Sequence, residues 1–289
     1  MTNYNNNEER TLEIPKDTTL PFFAYGIYKP GQLSYSKIKN YVKTQYECVI
    51  NYKMLMRDGM PLVIPAGGDN DAKTIGYLIY FKELHNKSAY EIISENIHKK
   101  MYKWKEIKVG ENRANVLIGV NPDMGCSKID GNIGNYKGQY DPYFKEAIGV
   151  IKNELNDEKN KQSNYDNFFK LQMTYLLLWT AIERYASLKY NCPTIGQNWE
   201  MLSNEDAFQK SLKKHVKSER KVYSAKDLKE FTLDANKPRY CLNYYYTIRC
   251  NATHRGKSAP HEDYEILKQS LEELLEIFDD IIKDTFDET

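Results

Sequence analysis

The chain lacks a net charge of either sign. Its 289 residues carry 41 Lys and Arg against 40 Asp and Glu, a formal net charge of +1. No whole-molecule field therefore draws it onto nucleic acid or an anionic surface, and any such contact has to come from a local patch. Cysteine is sparse: Cys48, Cys126, Cys192, Cys241 and Cys250 are scattered, odd in number and include no Cys-x-x-Cys pair. That argues against a disulfide scaffold and against a zinc site. The 5 histidines are equally dispersed, so neither a structural metal nor a cofactor is expected. No stretch approaches the roughly 18 apolar residues of a membrane helix. The first ten residues, MTNYNNNEER, have no apolar run, so no secretory signal is expected there. The expectation is a soluble cytoplasmic protein with no membrane partner.

What is present falls into two halves. The length fits one large domain or two ordinary ones. Residues 1–19 read as a flexible arm. Leu20–Tyr25, Cys48–Met56, Met60–Pro65, Thr74–Phe81, Trp104–Val109 and Asn115–Val120 read as short strands, with turn signals such as Asp58-Gly59 between them. Helical patterns lie at Ser36–Tyr41 and Asn86–Lys100. These predict an α+β domain over residues 20–150. Residues 151–164 form a charged, polar run that reads as a linker or hinge. Beyond it the period becomes helical. Phe168, Leu171, Tyr175, Leu178, Trp179, Ile182, Tyr185 and Ala186 make one apolar stripe. A second stripe runs over Glu262–Asp284, and a helix is expected at Tyr240–Ala252. Residues 165–289 are thus expected to be an all-α bundle, with the section Asn204–Phe231 irregular.

The residues with the most chemistry sit in Tyr244-Tyr-Tyr-Thr-Ile-Arg-Cys-Asn-Ala-Thr-His-Arg-Gly-Lys257. Arg249 offers a fixed, planar cation suited to phosphate. His254 exchanges a proton near neutral pH. On a straight helix the two are rotated by about 140° from each other, so they do not share a face. A helix end near Gly256 that re-aims the His, or a second chain, would have to complete the pair. The alternative is ordinary: an Arg and a His at a helix C-terminus often serve only as caps and dipole partners. The run Lys210–Lys221, with Lys213, Lys214 and Lys217, is usually a solvated face. Beside Arg249 it would become a funnel for an RNA backbone. Tyr244, Tyr245 and Tyr246 are more often packing groups than base-stacking ones.

This string resembles the motif of HEPN domains, in which an Arg is followed four to six residues later by a His, in the versions that continue into His-x-Gly-Lys and a long final helix. The resemblance implies a helical bundle that cleaves RNA without metal from a site completed across a homodimer, in a bacterial defence or toxin context. Arg249 and His254 would be catalytic, Asn251 would position one of them, and Lys257 would bind substrate. The segments FFAYGIYKPGQ, MLMRDGMPLVIPAGGDNDAKTIGYLIYF and ISENIHKKMYKWKEIKV are similar to the γ-glutamylcyclotransferase-like family. That resemblance implies a small mixed β-barrel/α domain. Its loop, here Tyr25, Gly26, Ile27 and Tyr28, would bind a substrate carboxylate, Tyr102 would head a strand at the pocket, and Glu95 would be a semi-buried proton carrier. Ile27 and Tyr28 are bulkier than the family's usual residues, so any cyclotransferase activity is expected to be weak. The primary expectation is a HEPN-type endoribonuclease with a regulatory or sensing N-terminal domain and a possible small-molecule ligand there. Two alternatives stay open: a γ-glutamyl cyclotransferase that the helical domain only dimerises, and a non-catalytic binding module.

Overall fold

The computed structural model describes residues 12–69, 71–128, 133–158, 164–190, 192, 194–254 and 263–287. It is a mixed α+β protein that divides into two compact units, one ending at Gly138 and the next beginning at Gln139. Among the described residues no helix is long and apolar enough to cross a membrane.

The first unit contains β1 (Phe22–Ala24), α1 (Tyr35–Ile38), β2 (Val42–Ile50), β3 (Tyr52–Arg57), β4 (Met60–Pro65), β5 (Lys73–Phe81), α2 (Asn86–Glu95), β6 (Tyr102–Val109), β7 (Asn112–Gly119), β8 (Ser127–Lys128) and β9 (Ile133–Gly134). The main sheet has the order β2-β5-β1-β7-β6, with β9 added on β5, and a smaller sheet has the order β4-β3-β8. Pairing along the main sheet is antiparallel except for β1 with β7 and β5 with β9. Among the described residues the strands form these two hydrogen-bonded sheets, with β2 and β6 at opposite ends of the main one. The strand expected at Cys48–Met56 is two strands, broken at Asn51. Asp58 and Gly59 turn β3 into β4 with φ of 50° and 72°, the doubly left-handed turn that Asp-Gly favours in hairpins. The core is aromatic: Tyr90 meets Phe22, Phe81 and Trp104 edge-to-face at 6.3, 5.5 and 5.3 Å.

The expected N-terminal arm needs correction over its described part. Pro15 is buried, Leu12 N–H donates to Ser94 O at 3.3 Å, and Asn115 Nδ2 donates to Asp17 O at 2.7 Å. Residues 12–19 are therefore tied to the first unit, and residues 1–11 lie outside those described.

The second unit contains α3 (Glu146–Glu158), α4 (Tyr165–Lys189), α5 (Ile195–Ser203), α6 (Asp206–His215), β10 (Arg220–Tyr223), β11 (Glu230–Leu233), α7 (Pro238–His254) and α8 (Asp263–Asp287). Local signals set these helices. Asn164 caps α4 by accepting from Asn167 N–H at 2.9 Å. Thr194 and Gln197 form a capping box on α5, which satisfies two orphan donors reciprocally. Pro238 occupies the first position of α7, where a missing N–H costs nothing. All eight residues of the expected α4 stripe are buried.

Two expectations fail here. The hinge placed at 151–164 is helical over its first part: Ile151 and Leu155 of α3 are buried, so α3 belongs to the second unit. The bundle is also not all-α, because β10 and β11 form an antiparallel hairpin within it, Arg220 opposite Leu233 and Tyr223 opposite Glu230.

Asp141 opens this unit. Its carboxylate is fully enclosed and holds Arg184 of α4 through two bonds of 2.9 Å and one of 2.6 Å. Arg184 in turn lies 5.4 Å from the ring centre of Tyr143. Removing one member of a buried pair strands the other charge. Asp141→Ala is expected to cost about 3–5 kcal/mol of stability, read from the denaturant midpoint. Asp166→Ala, which removes the exposed partner of Lys170, should change stability by less than about 1 kcal/mol. Equal effects would contradict this account.

Candidate functional site

The carboxylate-loop residues come together, but around very little space. Gly26–Tyr28 form a single 3-10 turn directly after β1. Gly26 takes φ of 68°, and a Cβ there would meet Pro61 Cγ at 2.4 Å, so glycine is required. Tyr25, Ile27, Tyr28 and Tyr102 line one cavity of about 10 Å³, the size of a single water. Tyr25 hydroxyl donates to Leu117 O at 2.5 Å and Tyr102 hydroxyl donates to Pro61 O at 2.8 Å. Tyr28 hydroxyl is buried with no partner among the described residues. Burial pushes the Tyr25 and Tyr28 phenols well above their usual range.

Glu95 does not join them. It is the last residue of α2, it is exposed, and it is not among the residues that line the cavity. The reason is helical phase: α2 buries Ala89, Tyr90, Ile93 and Ser94, and Glu95 is the next position round the helix, away from that face. The expected semi-buried carboxylate is a solvated one.

In the second unit α7 runs unbroken to His254, so no helix end precedes the His. The His254 side chain, Gly256 and Lys257 lie outside the described residues. Helical register still places positions 246, 250 and 254 on one face of α7. Tyr246 and Cys250 on that face line an open cleft of about 640 Å³, whose other wall is the hairpin, with Ser224, Lys226 and Phe231. Burial, then the Cys250 thiol, raises the Tyr246 phenol. Tyr244 and Tyr245 are fully buried packing groups.

Arg249 is half-buried and lies against Tyr246, one of the residues that line the cleft. Its guanidinium stands 5.9 Å from the Tyr246 ring centre and donates to Thr253 Oγ1 at 3.4 Å. Among the described residues it makes no ion pair with a carboxylate. A guanidinium with no carboxylate partner among the described residues is suited to an anionic ligand.

Asn251 has a different task from the one expected. It is buried, its Oδ1 accepts from Ala225 N–H at 2.8 Å, and its Nδ2 donates to Tyr223 O at 2.8 Å. The side chain staples the hairpin to α7 and, among the described residues, does not orient Arg249.

The lysine run is not gathered at this site either. Lys214 and His215 hold Asp280 at 3.0 and 2.9 Å. Burial opposes the charge on Asp280, but Ser211, His215 and Lys214 outweigh it and keep the carboxyl down at about 2. The end of α7 meets α8 around Leu267, with Ile248, Asn251 and Leu267 lining one crevice. Asp280 is about 20 Å further along α8 at 1.5 Å per residue. Lys213, Lys214 and Lys217 therefore do not form a funnel at Arg249.

Sequence reasoning missed the hairpin and, with it, Lys226 and Phe231. The signal was present in Arg220-Lys-Val-Tyr-Ser-Ala-Lys-Asp-Leu-Lys-Glu-Phe-Thr-Leu233: two short runs with β-branched and aromatic residues, separated by a polar turn. Compared with known proteins, the chain matches no family model, no curated protein and no solved structure.

Two outcomes follow. Asn251→Ala removes a buried acceptor and donor and should cost about 1–3 kcal/mol. Arg249→Ala should cost less than about 1 kcal/mol, the scale of an exposed cation–π contact. Thermal melts of the two variants check this, and a reversed order would refute it. In the first unit, release of 5-oxoproline from γ-glutamyl dipeptides should be negligible and unchanged by Glu95→Gln. Robust turnover lost in that variant would show that the small cavity and the exposed Glu95 do not describe the working site.

Proposed function

We propose that the second unit is a metal-independent endoribonuclease of the HEPN type, with the γ-glutamylcyclotransferase-like first unit serving to sense or regulate. One observation carries the reading: Arg249, which pairs with no carboxylate among the described residues, stands 5.9 Å from the ring centre of Tyr246, a wall of the cleft on the α7 face that includes position 254. RNA supplies its own nucleophile. His254 would take the proton from the 2′-hydroxyl as O2′ attacks phosphorus. Arg249 would stabilise the charge that builds on the phosphorane oxygens. The P–O5′ bond then breaks and the leaving oxygen is protonated, giving a 2′,3′-cyclic phosphate and a 5′-hydroxyl.

The spacing of the two groups favours a shared site. Positions 249 and 254 are about 7.5 Å apart along the axis of α7 at 1.5 Å per residue, and about 140° apart around it. A phosphorane offers oxygens only a few ångströms apart. A second copy, paired through the helical unit, would bring the other group to the same phosphorane. The defence or toxin setting belongs to the same family reading.

The small cavity and the exposed Glu95 weigh against a γ-glutamyl cyclotransferase as the main activity. The cleft and the uncompensated Arg249 weigh against a purely structural bundle.

The test is cleavage of mixed single-stranded RNA. His254→Ala should slow it about 10²–10⁴-fold, and Arg249→Ala about 10²–10³-fold. The double variant should lose little more than the worse single one, since the groups act as a unit. EDTA should change nothing, and a DNA strand of the same sequence should survive. Mixing the two single variants should restore about a quarter of the wild-type rate, because half the dimers are mixed and each holds one intact site in a two-fold arrangement. Cleavage that survives in both variants, or that falls only in step with melting temperature, would return both residues to a structural role.

A further inference from the structure

The cleft between the hairpin and α7 is larger than proton transfer and phosphate binding require. At about 640 Å³ it falls inside the ~300–1,000 Å³ range of pockets that enclose small ligands. Its walls carry two aromatic rings, Phe231 and Tyr246, and one cation, Lys226, and among the described residues no carboxylate lines it. Neither ring is fully buried. The hairpin adds a second cation: Lys229 Nζ stands 5.2 Å from the Phe231 ring centre.

The carboxylates nearby are already engaged. Glu230 holds Lys221 at 2.9 Å and accepts from Tyr223 hydroxyl at 2.8 Å. Asp227 accepts from Lys229 N–H at 3.3 Å and from Ser224, and both bonds lower its pKa. The turn that bears Lys226 is fixed. Ser224 N–H donates to Lys229 O and Leu228 N–H to Ser224 O, both at 2.9 Å, and Asn251 holds Ala225 N–H.

We propose that this cleft seats one unpaired nucleotide of a single RNA strand, its base against Phe231 and Tyr246 and its phosphate at Lys226. Aromatic faces accept any base, and cations track the backbone. A base stacked inside a duplex does not present its face, so the cleft selects single-stranded RNA. The proposal rests on the nuclease reading but concerns binding, which can be measured without cleavage.

The probe is a fluorescent 2′-deoxy oligonucleotide of about ten residues, long enough for a typical single-strand site and not cleavable by this chemistry. Anisotropy with the full chain should show Phe231→Ala weakening binding about five- to hundredfold, the scale of one lost base stack. Phe231→Trp, which keeps a stacking face, should bind as well as wild type or better. Lys226→Ala should lower the slope of log K against log salt by about 0.7, one phosphate contact on a single strand. A nucleoside monophosphate should bind far more weakly than the oligomer.

Failure of binding in the wild type, unchanged affinity in Phe231→Ala, or a monophosphate that binds as tightly as the oligomer would each overturn the assignment. RNA cleaved by the wild type with Phe231→Ala unchanged in both affinity and KM would leave the nuclease standing and remove the cleft. Phe231-dependent binding with no RNA cleavage would do the reverse.

Discussion

The second unit is organised around a charge in its interior. Glu273 of α8 is buried, and a carboxylate in such a place is tolerated only if it is paired and hydrogen-bonded. Its partner is Arg220 of β10, whose guanidinium bonds both carboxylate oxygens, one at 2.8 Å. Tyr245 of α7 adds a bond at 3.3 Å and Gln269 one at 3.2 Å. Arg220 also stands 6.0 Å from the Tyr244 ring centre. The helices therefore cannot close over Glu273 without the hairpin that delivers Arg220. The hairpin is part of the core and not a decoration on it. With Arg220 fixed at one point and Asn251 at another, the strand pair holds a set position against α7, and the cleft between them has a definite shape.

The fold was legible where one periodicity governed a long segment. The α4 stripe from Phe168 to Ala186 has one solution, a helix with that face inward, and the structure has it. Asp58-Gly59 was legible because few dipeptides accept two left-handed residues in succession. The hairpin was not, because four-residue strands carry little pattern and Arg220 and Lys221 read as charges continuing from α6. Their roles, a buried pair with Glu273 and a surface pair with Glu230, are set by residues distant in sequence. Glu95 failed for a related reason. Position in a motif says which residue stands next to which, but helical phase decides whether the side chain meets the cavity. Asn251 was singled out for its chemistry, yet its burial and its two backbone partners are tertiary facts. The lysine run was readable as charge and unreadable as placement.

The first unit shows how four residues can converge and leave little room. Tyr25, Ile27, Tyr28 and Tyr102 line one cavity of about 10 Å³, which holds no more than a water. Tyr25 and Tyr102 spend their hydroxyls on the backbone carbonyls of Leu117 and Pro61, so they brace the sheets. Lys29, one residue past the loop, is largely enclosed, and burial lowers its pKa to about 8 while its ammonium donates to Asn135 at 2.6 Å. These residues are committed to holding the loop.

Helix continuity bears on both units' division of labour. Because α7 does not break before His254, the groups with useful chemistry are spread along two turns and around the helix, not gathered at one point. Asn251 faces the hairpin, Tyr246 and Cys250 face the cleft, and Arg249 lies about 160° round from Asn251 at 100° per residue. A helix can present such a set to a single phosphate only by meeting another surface, since its own backbone fixes the angles. The same rigidity is an advantage for binding. Tyr246 has Trp179 at 5.7 Å and Arg249 at 5.9 Å from its ring centre, and Phe231 is held by the strand pair. Two rings on separately anchored walls lose little freedom when a flat ligand enters between them. What the fold fixes within one copy is therefore the cleft between the hairpin and α7, while the angles between Arg249, Cys250 and Asn251 are set by the helix itself.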